Sequence, residues 1–276
     1  MKNKYFSSLT FLIAAFILQF GCSDVGGILN SAQKDSLITK FDAEQMAKMN
    51  LPDFILIRSR AQWNRGREFV FQRSKDQANV SVIIGMHQSS SNATSVALDY
   101  LNEISMHMND SPLAGAAIGD KLWWWSPNAD TTNVTNILFL KENALFILSS
   151  HKYENLIDLA RAIDEDITKK ETYIKRGNTL SVPRINKVTL TQSRVTEGDT
   201  IKITIHAADP NNESLEYNAR PGLIKFQSDA ENMFTLIASR KMVSEPFGGP
   251  LKIKFIVINQ SNVVSGIAEI TVNITP

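Results

Sequence analysis

The chain has 276 residues, 29 Lys and Arg against 28 Asp and Glu, a net charge of +1, and one cysteine. The balanced charge excludes broad attraction to nucleic acid. A lone cysteine excludes an internal disulfide, so stability must come from apolar cores, and the length suffices for two domains of ordinary size.

Residues 1–21 read as a secretory signal. Lys2 and Lys4 form a positive head, and Phe11 to Phe20, interrupted only by Gln19, is the apolar stretch. That stretch is shorter than the roughly 20 residues of a membrane-spanning helix. Gly21 is a small exit residue and Cys22 follows it. This resembles a bacterial lipoprotein signal in an atypical form, with Gln19 and Phe20 ahead of Gly21 and Cys22. The resemblance implies cleavage before Cys22 and a covalent lipid on its sulfur, holding the protein at a bacterial membrane. Ser23, rather than Asp, after the cysteine implies the outer membrane where the host has two. The alternative is an ordinary secretory signal cut elsewhere, with Cys22 incidental. Residues 22–35, with Gly26, Gly27, Asn30 and Ser31, read as a flexible tether.

Residues 36–168 read as an α+β domain, an antiparallel sheet with packed helices. Asp42, with Gln45 three places on, caps a short helix through Met49, which Pro52 stops. Three strand-like stretches follow, Phe54–Ile57, Glu68–Gln72 and Asn79–Met86, rich in β-branched and aromatic residues. Asn92 is the expected cap of a second helix, with Ala97, Leu101, Ile104 and Met108 on one face. Strands then follow at Leu122–Trp125, Ile137–Leu140 and Ala144–Leu148. The last two are almost wholly apolar and so belong at the centre of the sheet. A final helix from Glu154 to Ile167 puts Leu156, Leu159, Ala160, Ile163 and Ile167 on one face.

Residues 169–184, charged and then rich in loop formers, read as a linker. Residues 185–276 change to short alternating strands with no helix, about seven in number. The expected strands are Val188–Leu190, Thr200–His206, Leu215–Asn218, Leu223–Phe226, Met233–Ala238, Leu251–Ile258 and Ser265–Ile274. Ile201, Ile203 and Ile205 alternate with Lys202, Thr204 and His206, as one buried sheet face requires. This size and pattern suit an immunoglobulin-like β-sandwich. The runs Val195-Thr196-Glu197, Thr200-Ile201-Lys202-Ile203, Ala207-Ala208-Asp209-Pro210 and Glu269-Ile270-Thr271-Val272 resemble the cadherin-like and PKD-like modules of bacterial surface proteins. In calcium-binding members the residues matching Glu197 and Asp209 ligate the metal, and Asn211 stands where a second aspartate occurs. One terminal module offers few of the six to eight oxygens that calcium takes. The expectation is therefore no metal or cofactor beyond the lipid, with Asp209 and Asn212 serving a turn.

Two further groups are binding candidates. Trp123, Trp124 and Trp125 alternate along one strand, so at least one face of the three is core. Arg58, Arg60, Arg65 and Arg67, with Arg73 and Lys75, form a local basic cluster that suits either anionic lipid or polysaccharide, or simply the wet side of a sheet. The four histidines are scattered without metal-ligand spacing, and no nucleophile elbow, phosphate loop or dinucleotide fingerprint occurs. The expected role is non-catalytic: binding or adhesion to an envelope protein or glycan. An accessory lipoprotein of an envelope complex is the second reading, and an enzyme of unrecognised type the third.

Overall fold

The computed structural model describes residues 37–104, 108–110, 113, 117–127, 131, 133–152, 156–220, 227–230, 232–239, 242 and 249–275. Cys22, the expected signal, the expected tether and the expected strand at Leu223–Phe226 lie outside the described residues. The described residues are β-rich, with three helices and several antiparallel sheets.

The chain enters through β1 (Leu37–Phe41) and α1 (Ala43–Asn50). Asp42 caps α1 by accepting from the Gln45 amide at 3.0 Å, which satisfies one of the orphan donors of the first turn. A meander follows, β2 (Phe54–Gln62), β3 (Gly66–Arg73) and β4 (Asn79–Met86), and then α2 (Ser90–Glu103). The second meander is β5 (Lys121–Trp125), β6 (Asn136–Lys141) and β7 (Ala144–His151), followed by α3 (Leu156–Lys169). The two meanders join through β4 and β7 into one antiparallel sheet of order β2-β3-β4-β7-β6-β5.

Strand alternation explains why the central strands carry no polar face. Ile137 and Phe139 of β6 join one core with Leu159, Ile163 and Ile167 of α3 and Met46 of α1. Leu138 and Leu140 join a second cluster with Ala93 and Ala97 of α2. Helices therefore cover both faces, and a strand buried on both sides is apolar throughout. Phe139 stacks on Phe146 at 4.7 Å, and Phe41 meets Phe146 and Tyr173 edge-on.

Several details differ from the sequence-based expectation; α2 ends at Glu103, so Ile104 and Met108 lie beyond it. The cap of α2 is Ser89, whose hydroxyl accepts from the Asn92 amide at 3.2 Å, so the helix begins before Asn92. The stretch expected as a linker contains β8 (Ile174–Gly177), which pairs antiparallel with β1. Both strands are too short to announce themselves, and each exists because the other supplies its ladder.

Residues beyond β8 build two four-stranded sheets. One has the order β13 (Gln227–Ala230), β14 (Met233–Ile237), β11 (Thr200–Ala208), β9 (Arg184–Leu190). The other has the order β10 (Arg194–Thr196), β16 (Ala268–Thr275), β15 (Gly249–Asn259), β12 (Leu215–Arg220). Ile201, Ile203, Ile205 and Leu236 from the first share one core with Leu251, Ile253, Phe255 and Val272 from the second. All pairings are antiparallel except β10 with β16, which is parallel.

Gly66 and Gly85 mark a close backbone approach where β3 begins beside β4. A Cβ on Gly85 would lie 2.2 Å from the Arg65 carbonyl oxygen, and one on Gly66 would lie 1.9 Å from that of Ile84, at a φ of +115°. The Gly85→Ala variant is expected to lose about 2–3 kcal/mol in urea denaturation, because backbone rather than a flexible side chain must yield. Gly198 has a φ of +95° but nothing within 4 Å. Gly198→Ala should therefore cost only the conformational strain, about 1–2 kcal/mol.

Candidate functional site

A heavily built polar region lies where residues 259–265, between β15 and β16, meet the six-stranded sheet. The Met86 amide donates to the Asn262 carbonyl at 3.0 Å, and the Val264 amide donates to the Met86 carbonyl at 3.2 Å. Met86 and Val263 thereby form a parallel bridge at the end of β4. Val263 is buried in the core of the six-stranded sheet. Asn262, at a φ of +66°, sends its Nδ2 to the Phe41 carbonyl at 3.0 Å. Asn is one of the residues that tolerates this left-handed conformation.

The turn itself is fixed from behind. Asn259 Oδ1 accepts from the Val263 amide at 2.8 Å, and its Nδ2 donates to Asp209 at 2.9 Å. Asp209 also accepts from the amides of Asn211 and Glu213. Glu213 in turn accepts from the amide and hydroxyl of Ser261 at 2.7 and 2.8 Å. Asp209 thus holds its turn and ties that turn to β15. Among the described residues, no group of three or more His, Cys, Asp or Glu is placed to hold a metal ion. Glu197 sits on an exposed turn.

A second contact joins β12 to the β2–β3 hairpin. Glu216 accepts from the Ala61 amide and from Arg67, and Asn218 donates to the Ala61 carbonyl at 3.1 Å. Glu103 of α2 accepts from Arg65 and, at 2.6 Å, from Arg220. Arg220 lies over the Trp63 ring at 5.2 Å, and Arg65 over the Tyr100 ring at 4.4 Å. Ala61, Trp63, Ile256, Ile258 and Val264 form the apolar part of this contact.

The structure divides the basic cluster into two groups. Arg65 and Arg67 belong to the junction just described. Arg58 and Arg60 pair with Glu68 at 3.3 and 2.7 Å. Burial alone would raise the Glu68 carboxyl, but hydrogen bonds from Arg60 and Ser81 outweigh it and hold the group below the usual range. Each of the four guanidiniums therefore has a carboxylate partner. The tryptophans divide as well. Trp124 is buried in the main core, while Trp123 and Trp125 are half-buried against the cluster under α2. Asn109 bonds the outer backbone edge of Trp124 in both directions, at 2.7 and 2.9 Å.

Three clefts flank the junction. A groove of about 970 Å³ runs between residues 179–186 and 266–268, and a polar cleft of about 360 Å³ lies beside Lys40, Lys175, Glu213 and Ser261. The third, of about 310 Å³, lies between α2 and residues 264–267, and His87 lines it. Asn143 holds the His87 backbone on both sides: its carbonyl accepts from the His87 amide, and its Nδ2 donates to the His87 carbonyl, each at 3.0 Å. His87 is only 6 % exposed, and its ring Nε2 is buried with no hydrogen-bond partner. A buried polar atom in that state costs about 1–3 kcal/mol. Trp63, Glu216, Asn262 and His87 were not singled out by sequence reasoning. In the sequence, Asn262 stands in an Asn259-Gln260-Ser261-Asn262 run that reads as an ordinary turn.

Burial drives the His87 imidazole down to about 4 from an ordinary 6.5. The unfolded chain therefore binds more protons than the fold between those two values. His87 should contribute its full share of stability above pH 6.5, losing it progressively as pH falls to 4, by at most about 3 kcal/mol. Denaturant titrations at several pH values should show this slope, and His87→Gln should flatten it. Asn262→Ala removes the bond to Phe41 and the tolerance for positive φ, and is expected to cost about 2 kcal/mol. No protein-family model matches the chain, and no curated protein sequence matches it either.

Proposed function

We propose that this chain is a bacterial lipoprotein, anchored through a lipid on Cys22, with a non-catalytic binding role at the cell envelope. In a host with two membranes it sits in the outer one. The C-terminal part is an immunoglobulin-like sandwich. Its strand order supports this: β9, β11, β14 and β13 stand in the places of strands A, B, E and D. They face β12, β15 and β16 in the places of C, F and G. The parallel β10 edge alongside β16 is the remainder of the first strand, switched to the opposite sheet.

The observation that carries the binding role is the junction. The sandwich is fastened to the six-stranded sheet by backbone bonds, buried amides and apolar contact, with clefts opening on its flanks. Clefts at such junctions are a preferred place for ligands, and a rigid frame lowers the entropy lost on binding. The partner is an envelope glycan or protein. The accessory reading keeps one supporting observation: β2 is an edge strand and exposes Ile55 and Ile57 at 59 % and 48 %. Edge strands with apolar side chains are where a partner adds a strand.

Intact-mass measurement of the native protein should show a chain beginning at Cys22 with added acyl mass. Cys22→Ala should move the protein from the membrane to the soluble fraction. A product cut elsewhere with an unmodified thiol would overturn the anchoring. Saturable binding of the full chain to purified envelope polysaccharide is expected. A stable one-to-one complex with an envelope protein, lost on Ile55→Lys, would instead establish the accessory reading.

A further inference from the structure

We propose that the cleft between α2 and residues 264–267 is a binding site for one neutral, hydroxylated unit, a saccharide residue, with His87 at its floor. This rests on the binding role proposed above and names its site and ligand class.

The polar lining comes from four segments. Asn92, Ser95 and Asp99 recur at three- and four-residue spacing along α2, so they form one stripe of the helix facing the cleft. Asn64, from the turn between β2 and β3, His87 and Gln88, just past β4, and Ser265 complete the set. The three α2 residues are exposed, whereas His87 is buried. A cleft of about 310 Å³ is at the small end of ligand sites and suits one ring rather than a long chain.

The chemistry selects the ligand. Asp99 is the one formally charged residue in the lining, and no Lys or Arg lines it. A phosphate or carboxylate would meet a negative charge with no cation to offset it. Amides, two serine hydroxyls and a single carboxylate suit adjacent hydroxyl groups, each of which both donates and accepts. His87 lines the cleft and its Nε2 is buried without a partner; a hydroxyl that reaches it would serve either tautomer of the ring. Burial keeps that ring neutral at neutral pH. Val96, Val264 and the half-exposed Ile267 supply an apolar wall for the C–H face of a sugar.

The test uses the full chain in mild detergent with ¹⁵N-labelled histidine, since four histidines give few ring signals. The probes are N-acetylglucosamine and galactose as neutral sugars, with glucosamine and glucuronate as charged ones. At least one neutral sugar should shift the His87 ring signals saturably, and glucuronate should not. Ser95→Trp, on the exposed helix face, should fill the cleft and weaken that binding by about tenfold or more without unfolding the protein. A shift with glucosamine alone would overturn the proposal in favour of an amine site. No shift with any sugar would also overturn it, leaving water as the occupant. If envelope polysaccharide binds and Ser95→Trp has no effect, the binding role stands and this cleft is not its site. If no polysaccharide binds either, both readings fail.

Discussion

The structure depends on one short backbone pairing, Met86 with Asn262 and Val264. It extends the six-stranded sheet by residues from the far end of the chain, in the place beside β4 left open before β3 begins at Gly66. Buried amide and carbonyl groups must find partners, and at this point each part of the molecule supplies what the other lacks. Without the 262–264 segment, both backbone groups of Met86 would lose these partners. The same insertion carries Val263 into the core beneath the sheet. One segment thus joins hydrogen bonding and apolar burial in a single contact.

The side chains around this pairing act as a scaffold rather than as a row of independent ion pairs. Exposed salt bridges contribute little individually. Here Arg65 and Arg220 share Glu103, while Arg67 and a backbone amide share Glu216. Aromatic rings lie beneath two of the guanidiniums. Such a shared arrangement fixes direction more than it adds stability, and direction is what a cleft between two cores requires. The clefts keep their shape because their walls belong to one fastened frame. The partnerless nitrogen of His87 is tolerated there at a cost that the surrounding contacts offset.

Much of the sheet and helix order is legible in the sequence, for physical reasons. The apolar runs of β6 and β7 announce burial on both faces, and the spacing of Leu156, Leu159, Ala160, Ile163 and Ile167 announces one buried helix face. The alternation at Ile201, Ile203 and Ile205 fixes the inward face of β11. Strands β1 and β8 escape because each is short and finds its partner more than a hundred residues away. The cap of α2 is misplaced by three residues because Ser89, Ser90, Ser91 and Asn92 are all plausible caps, and only the observed Ser89 bond distinguishes them. The junction is the least legible part. Asn262 reads as a turn former, and its bond to Phe41 spans 221 residues. Arg65 and Arg67 read as a basic patch because the carboxylates that pair with them lie on α2 and β12.

Native-state hydrogen exchange at the Met86 and Val264 amides tests the central claim most directly, that the sandwich and the six-stranded sheet form one fastened body. The account predicts that both amides exchange only with global unfolding, as slowly as the amides of β6 and β7. Exchange at Met86 and Val264 far faster than in β6 and β7, with both cores still protected, would contradict it.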